Sequence, residues 1–367
     1  WLKPCGPWTG VVCGTSAHGQ ASVHASSPAP SAIRAPMTEM LSATILQGHS
    51  DNIVAAAITA DGTQVLTTSR DGTARFWDSE SGICLKILSG PFAGVRAASF
   101  SPDGLRFVTA SRDLTAKVWE IGSGRTLATL AGHRLSLNAA VFGPRASGCS
   151  MVATASDDHT AKIWAIEASK CVLTIVGHED SVTSVAFSQD GTQLLTASCD
   201  HTAKLRDVQS GLCLVTFCGH VGGVLSAAFS PKGAHVVTAS FDLTAKVWCA
   251  RSGECVRTLE ADMSWMRFAA FSSDGATLVM TSRDGTAKLW NVASGECFHT
   301  LEGLCGEVGS AVFSPDGGQV VTASDDGRAK LWDVASGECL RILEGDGCLV
   351  TSAVFSPSSA LATDASG

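Results

Sequence analysis

Ser69, His49 and Asp71 hold the ingredients of a hydrolytic relay: a hydroxyl nucleophile, an imidazole to take its proton and a carboxylate to orient the imidazole. The same three residue types return as Ser156, His133 and Asp158, as Ser198, His178 and Asp200, and as Ser240, His220 and Asp242. A catalytic trio needs one cleft and one oxyanion site, so recurrence on this scale points to architecture, and no catalytic residue is assigned. Two adjacent repeats also carry "SDDHT" and "SCDHT", which bring Asp157 with His159 and Cys199 with His201. A metal site needs three or four ligands converging on one point. These histidines instead stand where Gly72 and Leu114 stand elsewhere, and they read as turn residues. No metal and no cofactor is expected, and no glycine-rich phosphate loop is present.

The elements that position these groups emerge from the spacing. Trp77, Trp119, Trp164, Arg206, Trp248, Trp290 and Trp332 align at intervals of 42, 45, 42, 42, 42 and 42 residues. A period of 40 to 45 residues is that of a four-stranded propeller blade. One unit, "SVTSVAFSQDGTQLLTASCDHTAKLRDVQSGLCLVTF", reads as strand a ending at Phe187, a turn, strand b "QLLTAS", a tight turn, strand c "TAKLRD", a turn and strand d "CLVTF". The longer interval comes from the third unit, where "GPRASGCS" lengthens the a–b loop. The units fall near residues 49–90, 91–132, 133–177, 178–219, 220–261, 262–303 and 304–345, with a partial unit at 346–367.

The "GH" before strand a, the Asp two residues after the strand b serine and the strand c "TAKxW" together resemble the WD40 repeat family. That resemblance implies an all-β fold, a WD40 β-propeller of seven full four-stranded blades over residues 41–367. It also implies a buried hydrogen-bond network of His49, Ser69, Asp71 and Trp77, of His133, Ser156, Asp158 and Trp164, of His178, Ser198 and Asp200, and of His220, Ser240, Asp242 and Trp248. Arg206 replaces the fourth tryptophan; either its guanidinium donates to Asp200 while its stem covers the vacated apolar surface, or it is drift in one of several redundant networks, and the second is preferred. At the ends, "ATILQGH" (43–49) begins like a strand d and residues 348–364 look like strands a and b. Either the first displaces residues 339–343 as the outer strand of the last blade, or the two join in an incomplete eighth blade closed by the N-terminal strand; the second is preferred because it buries more of the apolar tail.

Composition bounds the rest. The 367 residues are 45% hydrophobic and 16% charged, with a formal charge of −8, so nothing in the overall charge attracts nucleic acid or an anionic membrane. No apolar run is long enough to span a bilayer. Of 14 cysteines, Cys84, Cys171, Cys213, Cys255, Cys297 and Cys339 recur at one repeat position, too far apart to pair, and read as small buried hydrophobes in a reducing compartment, cytoplasmic or nuclear. Residues 1–40 are a low-complexity leader with the composition of a disordered segment. The chain begins at Trp1, and its end at "ATDASG" reads as a truncation. The repeated lysines of strand c, Lys117 to Lys330, read as stems with their heads in water.

Near-identical repeats allow an internal comparison, since positions free to serve a partner differ between copies. The residue before the turn Asp and the residue near the start of strand a both vary. The family resemblance puts both on the face carrying the d–a and b–c loops. There Arg70, Arg96, Arg112, Arg267 and Arg283 flank Glu307, Asp325 and Asp326, with Phe92, Phe241, Met263, Trp265 and Met266 in the same loops. Arginines and aromatics dominate binding hot spots. The expectation is a non-enzymatic scaffold or adaptor holding other proteins through peptide segments, acidic or phosphorylated. The alternatives are nucleic-acid or phosphoinositide binding through the arginines, or a regulatory domain of a larger protein.

Overall fold

The computed structural model describes residues 44–45, 50, 53–58, 64–69, 71–78, 81, 83–90, 94–144, 151–260, 264–303, 306–314, 316–326, 328–344 and 353–355. Within them every repeat forms one antiparallel sheet in the order a-b-c-d, and seven such blades close a ring. Strands a are Ile53–Ile58, Val95–Phe100, Leu137–Phe142, Val182–Phe187, Val224–Phe229, Met266–Phe271 and Val308–Phe313. Strands d are Cys84–Ser89, Thr126–Ala131, Lys170–Ile175, Cys213–Cys218, Cys255–Glu260, Cys297–Leu301 and Cys339–Glu344.

Burial explains the sequence of each strand. Strand b is covered on both faces and carries a run of buried residues, as in Gln193–Ser198 and His235–Ser240. Strand d faces water on one side and alternates, as in Cys255–Glu260. The core lies between blades: Leu66, Phe76 and Leu88 of blade 1 pack with Phe100, Phe107 and Trp119 of blade 2. A bulge at the start of strand d sets a cysteine opposite the strand c aromatic, as in Trp164↔Cys171. The turn after strand c then presses on the blade before it. A Cβ on Gly124, which has φ +72°, would stand 2.4 Å from Leu88 Cδ2, so both the conformation and the space require glycine.

Three expectations are corrected. Among the described residues there is no eighth sheet: Thr44–Ile45 adds in parallel outside Cys339–Glu344 of blade 7, and Ala353–Phe355 adds in parallel beside Ile53–Ile58 of blade 1. Residues 339–344 keep the place beside strand c because a short turn delivers them there, whereas the N-terminal strand must close a loop around the whole ring. The six repeated cysteines are not buried. Cys213, Cys255 and Cys297 are exposed and Cys84, Cys171 and Cys339 half-buried, because strand d is the outermost strand; all six are free. The strand c lysine heads are also bonded within the protein: Lys204 and Lys330 Nζ each donate 2.6 Å bonds to Gly177 O and Gly303 O, and Lys162 and Lys246 donate to Thr174 and Thr258 Oγ1 at 2.9 Å.

Candidate functional site

Blade 3 shows what the repeated polar residues do. Trp164 Nε1 donates to Thr154 Oγ1 at 2.8 Å, Thr154 Oγ1 meets His133 Nε2 at 2.7 Å, and His133 Nδ1 meets Asp158 Oδ2 at 2.8 Å. A neutral imidazole with its proton on Nδ1 satisfies every group in this chain. Asp158 spends its other oxygen on Thr160, accepting from the amide at 3.0 Å and from the hydroxyl at 2.6 Å. Blade 5 repeats the arrangement with Trp248, Thr238, His220, Asp242 and Thr244. The serine stands apart from the imidazole: Ser156 Oγ donates to Leu135 O at 3.1 Å and Ser240 Oγ to Gly222 O at 3.0 Å. In these two blades the serine hydroxyl is therefore turned to a backbone carbonyl and not to the imidazole.

Burial lowers the pKa of His133, His178 and His220 despite the carboxylate beside each. Asp158 and Asp200 fall to about 2: burial opposes the shift, and the donors on the carboxylate, Thr160 or Thr202 foremost, outweigh it. The strand b threonine is the junction of the network, and the sequence reading passed over it. Its signal was present as the third-from-last residue of "VLTTS", "FVTAS" and "LLTAS".

The other blades show what each missing member does. Blade 4 has no tryptophan, and Arg206 fills the slot, 5% exposed. The alternative bond to Asp200 is not formed; the guanidinium reaches Gly211 O at 3.5 Å, and Nε has no partner. Blade 6 has Met280 in place of the junction threonine, and Trp290 Nε1 is left buried without an acceptor. Blade 2 lacks the histidine, and Lys117 Nζ takes Asp113 Oδ2 at 2.8 Å instead. In blade 1 Trp77 Nε1 donates to Thr67 Oγ1 at 2.7 Å, Asp71 N to Ser69 Oγ at 3.1 Å and Ser50 N to Asp71 Oδ2 at 3.1 Å; His49 lies outside the described residues.

The two variable positions meet on one face. In six blades the amide before the turn Asp donates to a carbonyl just ahead of strand a: Arg112 to Gly94, Asp157 to Ser136, Cys199 to Ser181, Phe241 to Gly223, Arg283 to Trp265 and Asp325 to Glu307, at 2.7 to 3.1 Å. Among the described residues their side chains fall into separate groups. Across blades 2 and 3, Arg96 Nη1 bonds Asn138 Oδ1 and lies 3.1 Å from Asp157 Oδ2, while Asn138 Nδ2 donates to Asp157 Oδ1 at 2.7 Å and to Val182 O at 2.9 Å. Asn138 and Thr183, read as free to serve a partner, thus join neighbouring strands a, Thr183 Oγ1 donating to Val224 O at 2.7 Å. Arg112 is exposed; Arg70, Phe92 and Met263 lie outside the described residues.

The second group crosses blades 5 to 7. Arg267 Nε lies 3.1 Å from Glu307 Oε1 and Arg283 Nε 3.5 Å from Oε2, so one carboxylate holds two guanidiniums by their inner nitrogens. Arg283 Cζ sits 4.5 Å from the centroid of Trp265, which meets Phe241 edge-on at 5.1 Å. Asp325 beside them has its pKa raised by burial and by Glu307. Met266 is 1% exposed and belongs to the core between blades 5 and 6. His159 and His201 hold left-handed turn positions, φ +66° and +70°. Among the described residues no cluster of three or more His, Cys, Asp or Glu has metal-ligating geometry, and no helix is long and apolar enough to cross a membrane.

Comparison with known proteins agrees with the repeats. The family described as "WD domain, G-beta repeat" matches residues 41–78, 82–120 and 124–165. A stretch of 42 residues is 43% identical to "THO complex subunit 6" of Arabidopsis thaliana, covering 11% of this chain and 11% of that protein. The family described as "IFT122 first beta-propeller" matches residues 146–366, more than half of the chain. With one set of matches following the other around the ring, the chain belongs to the WD40 β-propellers, in the family of the IFT122 first β-propeller.

Proposed function

We propose that this propeller is a non-enzymatic protein-interaction scaffold, and that the face carrying the b–c turns holds acidic or phosphorylated peptide segments between Arg267 and Arg283. One observation carries the reading. Glu307 engages both Nε atoms, so the terminal nitrogens of two oriented guanidiniums have no partner among the described residues. A guanidinium held from behind by a carboxylate presents two parallel donors at little further loss of freedom, which is the geometry that suits carboxylate or phosphate. Trp265, 43% exposed and backed by Phe241, supplies an adjoining apolar surface for a neighbouring side chain of the peptide. Separate, partly neutralised arginine groups on a chain of charge −8 fit a short anionic motif better than a nucleic-acid backbone or a membrane surface. The nine described cysteines are free, which supports a reducing compartment, cytoplasm or nucleus.

The test is a phosphopeptide array probed with the full chain and with the Arg267→Glu/Arg283→Glu variant. The expected result is a set of acidic or phosphorylated ligands whose affinity drops at least about tenfold in the variant, the scale of one lost charge-assisted pair. Equal binding by both proteins would overturn the reading. Binding that tracks the number of phosphates on DNA or lipid, and falls steeply with salt, would move it to the nucleic-acid or phosphoinositide class.

A further inference from the structure

Arg206 stands in a slot that the rest of the ring makes apolar. In blade 3 the slot holds Trp164, packed against Val118 and Leu130 of blade 2. One repeat on, Ile163 and Ile175 take the places of Val118 and Leu130, so the Arg206 guanidinium enters a seam with a hydrocarbon wall. A guanidinium keeps its charge, and burying it without partners is costly. Here it is buried, Nη1 reaches Gly211 O at 3.5 Å, Nε is sealed without a partner, and no carboxylate pairs with it among the described residues. A second cation comes to the same place. Lys204, two residues back on strand c and on the same face, turns Nζ to Gly177 O at 2.6 Å, and Arg206 Nη2 lies 3.3 Å from where a Cβ on Gly177 would be. In blades 3 and 5 the matching lysine bonds a strand d threonine instead, Thr174 or Thr258. In blade 4 that threonine, Thr216, stands directly opposite Lys204. Asp200 spends its oxygens on His178, Thr202 and the Glu179 amide. Two positive heads with a hydroxyl beside them thus share one face, and among the described residues no acid neutralises them.

We propose that the seam between blades 3 and 4 is an oxyanion site, where Arg206 and Lys204 hold a phosphate group, free or carried as a monoester by a small molecule. A phosphate supplies acceptors for the unspent N–H groups of the guanidinium and for Nζ, which exchanges its bond to Gly177 O for one to the anion. The apolar wall strengthens both attractions by keeping the local dielectric low. Gly177, φ +106°, leaves beside Nη2 the space that a side chain would take. Without the anion the buried charge lowers the stability of the blade, and binding to the folded chain restores it. The site uses no residue of the Arg267 and Arg283 fork.

Isothermal titration calorimetry with inorganic phosphate and with glycerol 3-phosphate tests it, in the Arg267→Glu/Arg283→Glu chain so that the fork contributes nothing, at about 150 mM sodium chloride. A dissociation constant on the order of 1 mM is expected, weakened at least about tenfold by Arg206→Trp or by Lys204→Gln. Arg206→Trp copies the residue of the six sister blades and so keeps the blade foldable. Without phosphate it is expected to melt above its parent; added phosphate raises the melting temperature of the parent and not that of the variant. Lys162→Gln, at the matching place in blade 3, is expected to leave binding unchanged. Tighter binding of the ester assigns the ligand as a monoester, and equal or weaker binding assigns it as the free ion. No binding up to about 20 mM overturns the proposal. So does binding that survives Arg206→Trp, or that Lys162→Gln removes equally.

Discussion

At the scale of single residues, one hydroxyl decides whether a blade's polar network closes. Thr154 accepts from Trp164 and serves His133, so Thr154→Val strands two buried groups and is expected to cost about 2–4 kcal/mol in a urea titration. Thr281 in blade 6 is equally buried, but its hydroxyl has no partner. Thr281→Val is therefore expected to be neutral or to stabilise by up to about 1 kcal/mol, and a large loss there would contradict the network account. Arg206→Trp gives Thr196 the donor its counterparts have and removes an unpartnered Nε; a gain of about 1–3 kcal/mol is expected, read as a higher denaturant midpoint. The histidines set a pH dependence. Their pKa values lie below the ordinary 6.5, so the unfolded chain binds protons first as pH falls. Stability is full above about pH 6.5 and is lost progressively below it. The lowered Asp158 and Asp200 contribute stability above 3.8 that is lost toward their values of about 2, a second decline. Midpoints that stay flat from pH 7 to pH 5 would show that the imidazoles titrate alike in the folded and the unfolded chain.

At the scale of strands and turns, seven copies of one blade can be compared under one set of conditions. The b–c turn needs a left-handed residue at its third place, and glycine fills it in blades 1 and 6 with φ +83° and +86°. Blades 2 and 5 put leucine there, Leu114 and Leu243, both at φ +71°. Leucine is strained in that region, while glycine carries a larger entropy loss on folding. The balance favours Leu114→Gly or Leu243→Gly by about 0.5–1 kcal/mol, measurable by calorimetry; a fall in melting temperature would show that leucine packing outweighs the strain. Between blades, strand d side chains reach the following c–d turn. Arg257 donates to Ala293 O and Ser294 O at 2.6 and 2.9 Å, and His299 Nε2 lies 3.0 Å from Ala335 O. These contacts fix the spacing of neighbours that share a core.

At the scale of the whole molecule, Ala353–Phe355 stands between blades 7 and 1, against Val308–Phe313 and Gln319–Ser324 as well as beside Ile53–Ile58. Truncation after Glu344 removes it, and faster amide exchange at the inner strands of blades 1 and 7 is expected, with unfolding still a single transition. Loss of the cooperative transition would show that the added strand closes the ring. Blade number, strand order and the recurring Ser, His, Asp and Trp were legible in the sequence because they follow from a period of 42 residues and from alternation along a strand, both local properties. The junction threonine was present but unreadable, since a hydroxyl inside "LLTAS" looks like an ordinary strand residue until the histidine and indole meet on it. Met280, one residue in that same slot, orphaned Trp290 for a reason visible only in space. The tertiary structure alone decided which of two competing strands closes blade 7, how far the repeated cysteines stand from the core, and that the arginines divide into groups already facing carboxylates. Each of these depends on contacts between residues tens to hundreds of positions apart, and a repeat repeats its own pattern without recording its neighbour's.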